Sequence, residues 1–171
     1  MVLTKEEAIA ALQNEVRLVL HLASKIDPAR TDYRPSMKQR SMLELMQYFV
    51  VMAPVQLRTI VAGDFNMDLW RKRWQAEEAA AKAMPIEETK AAIGKQPKLF
   101  AELLDPSTDV ALRAEVEMFG RRASRGMWIV QLPLRHYAAY RMQLFLYLKA
   151  CGREELNTLN LWAGVDQGLG G

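Results

Sequence analysis

His136, Tyr140, Gln143 and Tyr147 are the residues whose types and spacing point most directly to chemistry. With Ile129 and Leu132 they recur at intervals of 3, 4, 4, 3 and 4. That spacing stacks side chains on one face of an α-helix and not on a strand. An imidazole, with an ordinary pKa of about 6.5, exchanges a proton near neutrality, and phenols and an amide beside it donate or accept hydrogen bonds. The set suits two kinds of chemistry: general-base catalysis by His136, or a hydrogen-bonded binding site. Two histidines one turn apart would point to a metal. Here the second position is Tyr140, whose pKa of about 10 makes it a poor ligand at neutral pH. The sequence has no Gly-rich phosphate loop, no GxSxG elbow and no Cys/His zinc array. Its one cysteine, Cys151, precedes Gly152 at a helix end. The negative end of the helix dipole disfavours a thiolate there, so Cys151 reads as a structural thiol.

These residues must be positioned by the segment Met127–Cys151. It is apolar nearly all round (Leu134, Tyr137, Leu144, Phe145, Leu146, Leu148) and is therefore expected to be a buried central helix. Pro133, one turn before His136, is expected to kink it, because an interior proline costs about 3 kcal/mol. Upstream, Thr4 with Glu7 and Ser41 with Glu44 are capping boxes that start two helices. The first carries an apolar stripe (Ile9, Leu12, Val16, Val19, Leu20, Ala23), which puts His21 on the opposite face as a partly exposed surface residue. Residues 28–40 read as a loop. The second helix runs from Ser41, with Glu44 as its cap, and Pro54 is expected to begin a separate short helix ending near Gly63. Residues 64–83 read as a solvated helix with Trp70 and Trp74 one turn apart. Arg71, Lys72 and Arg73 are followed there by Glu77 and Glu78, which breaks any basic strip. A helix over 86–104 is interrupted at Pro97. ALRAEVEMFG, 111–120, reads as a short helix closed by Gly120, and Ser124 as the cap of the last long helix. Leu161 and Trp162 are expected to pack back on the bundle, with a mobile tail from about residue 164. The expected fold class is all-α: an antiparallel four-helix bundle with one or two short extra helices, no strand, and one domain over residues 1–171.

Half of the 171 residues are hydrophobic, which excludes a disordered chain. A net charge of +3 is too mild to imply nucleic acid or an anionic membrane. No apolar run approaches the roughly 20 residues a membrane span needs, and MVLTKEEA lacks the form of a signal peptide. A single cysteine excludes an internal disulfide. The expectation is a cytoplasmic protein with no nucleic-acid or membrane partner, forming a homodimer.

The segment HYAAYRMQLFLYLKACG, 136–152, resembles the C-terminal signature of the DinB/YfiT-like superfamily of bacterial four-helix-bundle proteins. That signature runs His-x-x-x-His-Arg-Gly-Gln-Leu and ends Leu-Arg-x-x-Gly; Arg141, Gln143, Leu144, Leu148 and Gly152 match it. RSMLELMQYF, 40–49, is similar to the family's second-helix motif, which ends in a histidine. The resemblance implies the bundle fold. It also implies a three-histidine site for a divalent ion, at positions held here by Tyr48, His136 and Tyr140. With two of the three replaced by tyrosine, the motif is degenerate, and zinc or nickel is not expected to bind well. The expectation is instead a metal-free cluster in which the Tyr48 and Tyr140 hydroxyls meet His136. Tyr48, His136, Tyr140 and Gln143 would then bind a small molecule in the bundle. The alternative implied by the resemblance is an enzyme of the thiol-dependent transferase or hydrolase type. It would use His136 as general base or residual metal ligand, or keep a metal by recruiting Glu44.

Overall fold

The computed structural model describes residues 3–166. Both capping boxes form. Thr4 opens α1 (Lys5–Ala23) and Ser41 opens α2 (Met42–Ala62), each exchanging hydrogen bonds with the glutamate three residues on. Asn66 caps α3 (Met67–Lys82). The chain then makes α4 (Ile86–Gly94) and α5 (Gln96–Leu104), parted at Lys95 with Pro97 in the first turn of α5. After α6 (Asp109–Arg113) come β1 (Glu115–Met118) and β2 (Arg121–Ser124). Ser124 caps α7 (Arg125–Ile129), which opens into a wide π turn over Val130–Leu134 and continues as α8 (Arg135–Ala150).

The architecture is the all-α antiparallel four-helix bundle expected. Its four members are α1, α2, the α4–α5 pair and the α7–α8 run. One continuous core joins Leu12, Val16 and Val19 of α1 to Met46, Phe49 and Leu57 of α2. It extends to Ile93 and Phe100 of α4 and α5, and to Tyr137, Leu144 and Leu148 of α8. The long α3 lies outside this core, packed on α2.

Three expectations are corrected. First, Pro54 starts no helix; it sits inside an unbroken α2. Its missing N–H leaves the Val50 carbonyl without its normal partner. Buried Gln96 supplies the donor instead, its Nε2 reaching the carbonyls of Phe49 at 2.9 Å and Val50 at 3.2 Å. The other end of that amide accepts the hydroxyl of fully buried Tyr137. One amide on α5 thus closes the break in α2 and ties it to α8. Second, because α2 is continuous, it is a 21-residue helix long and apolar enough to cross a membrane by length and composition. However, 72% of its most apolar stretch is buried inside the bundle, as for the core helix of a soluble protein.

Third, 115–124 is a hairpin, paired from Glu115 opposite Ser124 to Met118 opposite Arg121. Val116 and Met118 face the core while Glu115 and Glu117 face water, a period-2 pattern hidden beside helix-like residues. The loop residues Phe119 and Gly120 both have positive φ, 53° and 72°, as a two-residue hairpin turn requires. Phenylalanine is unusual there. Its ring is held by Phe65 and Trp70, at centroid distances of 4.6 and 5.7 Å. His21 is partly exposed, as expected, and it also has polar neighbours. Residues 159–166 fold across its side of α1, placing Asn160 Nδ2 at 3.3 Å and the Asp166 carboxylate at 3.7 Å from its Nε2.

The last described residues are tied to α1. Arg17 donates to the carbonyls of Ala163 and Gly164, and Lys25 pairs with Asp166 at 2.7 Å. The rest of the tail expected to be mobile, residues 167–171, lies outside the described residues. Leu161 is buried, and Trp162 lies under Arg141 with 4.9 Å from guanidinium to ring. Arg141 is itself 1% exposed; it donates to the Leu161 carbonyl and faces Glu15 at 3.2 Å. Burial outweighs their mutual attraction in both partners, pushing Glu15 up and Arg141 down from their usual pKa ranges. The pair therefore fixes α8 against α1 more than it adds net stability.

Gln96→Leu is expected to cost about 3 kcal/mol in denaturant unfolding, because it strands the Tyr137 hydroxyl and the Val50 carbonyl in the core. Pro54→Ala restores an N–H to α2 and should recover about 1 kcal/mol of that loss in the double variant. Purely additive effects would break the link between Gln96 and the proline.

Candidate functional site

The polar face of α8 is matched rung by rung to α2 and the segment before it. At one end, Gln56 Nε2 lies 2.7 Å from His136 Nδ1. In the middle, the Tyr48 and Tyr140 rings meet edge to face at 4.8 Å. At the other end, the Tyr147 hydroxyl donates to the Arg40 carbonyl at 2.9 Å and accepts from Gln143 Nε2 at 2.5 Å. Position rises on α2 as it falls on α8, as antiparallel helices demand. Gln56 falls on the Tyr48 face of α2, two turns on. Breaking the helix at Pro54 hid that register, so sequence reasoning missed Gln56.

The expected cluster is therefore corrected in one respect. His136 does not meet the Tyr48 and Tyr140 hydroxyls; its hydrogen-bond partner is Gln56, and its ring only edges Tyr140 at 6.1 Å. Burial, then the charge of Arg135, hold the imidazole below its ordinary pKa, so it is neutral at pH 7. The Gln56 amide sets the tautomer. Presenting its NH2 to Nδ1 leaves the ring proton on Nε2, whereas presenting its carbonyl frees Nε2 as a base. Gln56 is 4% exposed and its second polar atom, Oε1, is buried without a partner.

Tyr48 is the member of the set that reaches a cavity. A groove of about 620 Å³ runs between the 31–41 segment, the first half of α2 and the end of α3. Tyr48 and Trp74 form its aromatic floor, 5.7 Å apart, and Trp70 stacks behind Trp74 at 5.2 Å. Buried Val51 and Ala81 add apolar wall, and Met37, 86% exposed, stands at its rim. The end of α3 is held in place by Gln47, whose amide donates to the carbonyls of Lys82 and Met84. His136, Tyr140 and Gln143 do not line the groove. Arg40, which sequence reasoning missed, lies over the Tyr48 ring at 4.0 Å and 5.9 Å from the Tyr140 ring. Its place in the chain, just before the Ser41 cap, was the only signal.

This arrangement does not fit a divalent metal. Of the three positions, only His136 offers a good donor, and Gln56 holds one of its nitrogens. Burial, then Tyr140, push the Tyr48 phenol well above its usual range, so it stays protonated. The Arg40 guanidinium brings positive charge to the same rings. Glu44 is committed to Ser41 at 2.7 Å and to Arg34 at 3.3 Å. Among the described residues, no three His, Cys, Asp or Glu side chains gather as a metal site. The Cys151 thiol is pushed up by burial, against thiolate chemistry.

No protein-family model and no curated protein matches this sequence. Among solved structures, the chain is similar to a DinB-like protein from Bacillus subtilis (YjoA). That match has 17% identity and a TM-score of 0.66, covering 88% of this chain and 94% of that one. It is also similar to a DinB-like protein from Bacillus cereus, at 16% identity and a TM-score of 0.69, covering 89% and 95%. The likeness is one of fold: this chain has the DinB-like bundle that its motifs resemble.

The lowered pKa of His136 has a stability consequence. Protonation favours the unfolded chain, so the contribution of the neutral ring is whole above about pH 6.5 and is lost as pH falls through the lower folded value. The melting temperature should fall from pH 7 to pH 5, less steeply in His136→Gln. His21 is also lowered, mainly by burial, so the slope should shrink and not vanish. An unchanged slope in the variant would contradict a buried, neutral His136.

Proposed function

We propose that this protein is a metal-independent DinB-like bundle that binds a small molecule in the groove between α2, α3 and the 31–41 segment. The observation that carries the reading is the groove itself. Its volume of about 620 Å³ is typical of small-ligand pockets, and an aromatic floor with a few polar groups is their usual lining. Tyr48 forms part of that floor directly. Tyr140 supports it from below through ring contact, and Gln143 acts at one remove by holding Tyr147 and hence Arg40. His136 and Gln56 belong to the helix seam. The exposed Met37 gives a ligand apolar surface to bury.

The alternative is an enzyme with His136 as general base. The half-buried neutral imidazole and its amide partner favour it. The position of His136, away from the groove walls, weighs against it.

A panel of aromatic fragments screened by ligand-observed NMR on the full chain tests the choice. Fragments should bind the wild-type protein. Trp74→Ala should weaken them about five- to tenfold, the worth of one aromatic contact, and His136→Gln should leave them unchanged. Fragments lost on His136→Gln but kept on Trp74→Ala would move the site to the histidine.

A further inference from the structure

We propose that the groove takes a small organic anion, a carboxylate or phosphate ester carried on a flat apolar body, with Arg40 as the anion-binding residue. The inference rests on the groove reading above and adds the ligand's chemical class.

The groove walls carry the charged residues Asp32, Arg34, Lys38, Arg40, Glu44, Glu78 and Lys82. Two of the cations are engaged: Arg34 pairs with Glu44 at 3.3 Å and Lys82 with Glu78 at 3.2 Å. That leaves Lys38 and Arg40 facing a single remaining carboxylate, Asp32. Arg40 is the better placed. Its backbone is anchored by the Tyr147 hydroxyl at 2.9 Å, and its guanidinium lies over Tyr48 at 4.0 Å. A guanidinium held over a ring by a cation–π contact still has N–H donors around its edge. Among the described residues no carboxylate pairs with that edge, and the partner shown for the guanidinium is the aromatic pair. A preorganised planar donor array beside an aromatic floor matches an oxyanion in two-pronged contact. The apolar part of the ligand would then lie along Trp74, Val51 and Ala81. The neutral aromatic faces of Tyr48 and Tyr140 attract the guanidinium and hold it at the groove.

Calorimetric titration of the full chain with phenylacetate, phenyl phosphate and the uncharged phenylacetamide tests this. At low salt, at least one of the two anions should bind about tenfold tighter than phenylacetamide, and the preference should shrink as salt is raised. Whichever anion is preferred identifies the headgroup. Arg40→Gln should abolish the preference, the anions then binding no tighter than phenylacetamide does to the same variant, and Arg40→Lys should retain part of it. The proposal is overturned by anions that bind no tighter than phenylacetamide, or by a preference that survives Arg40→Gln. Phenylacetamide binding that depends on Trp74 would keep the groove reading even then. No binding of any probe to the wild-type protein would remove both.

Discussion

The bundle depends on how a proline is accommodated in the middle of its most buried helix. Pro54 leaves a carbonyl without a donor at the centre of the core, where water cannot supply one. Gln96 answers it from α5, and Tyr137 of α8 in turn completes the amide. Three bundle members are locked by one side chain, so their rotation about their own axes is set with little freedom. The second interior proline, Pro133, is absorbed differently. The helix widens into a π turn, which re-aims the side chains that follow. Together the two prolines fix the register in which α2 and α8 face one another.

That register decides what the polar face of α8 is for. His136, Tyr140 and Tyr147 each find a partner on α2 or just before it, so most of the face is consumed in holding two helices together. A buried amide–imidazole pair and a T-shaped phenol pair make a seam whose polar groups are largely satisfied, as interior polar groups must be. What remains for recognition lies on the outer side of Tyr48. There the start of α2, the end of α3 and the 31–41 segment line the groove, and the Tyr48 phenol takes part in both the seam and the groove. The likeness to DinB-like structures therefore describes the scaffold, while on this chain Tyr48 and Tyr140 lie beside the Arg40 guanidinium.

Much of this was legible in residue order. Thr4/Glu7 and Ser41/Glu44 announce helix starts because capping is a local contact between residues three apart, and Pro97 and Gly152 mark breaks for equally local reasons. The all-α class follows from periodicity, but the expected all-round burial of α8 does not hold: Leu146 is exposed, and α2 is the helix enclosed by the core. Misreadings arose where distant partners overrule a local rule. Pro54 looks like a helix start until Gln96, 42 residues away in sequence, supplies the lost bond. Glu115–Met118 looks helical until Arg121–Ser124 pairs with it, and the Phe119–Gly120 turn lacks the usual Asn-Gly signal because aromatic packing holds it instead.

The candidate site divides the same way. The sequence by itself determined that His136 and Tyr140 share one face of α8, through helical spacing, and that one histidine with two tyrosines is a poor donor set for zinc or nickel, through residue identity. Only the tertiary structure decided that His136 pairs with Gln56, that Tyr48 opens onto a groove, and that Arg40 lies across its ring. Those are relations between segments far apart in the chain, set by the packing of α2 against α3 and α8, and nothing in the local order of residues encodes them.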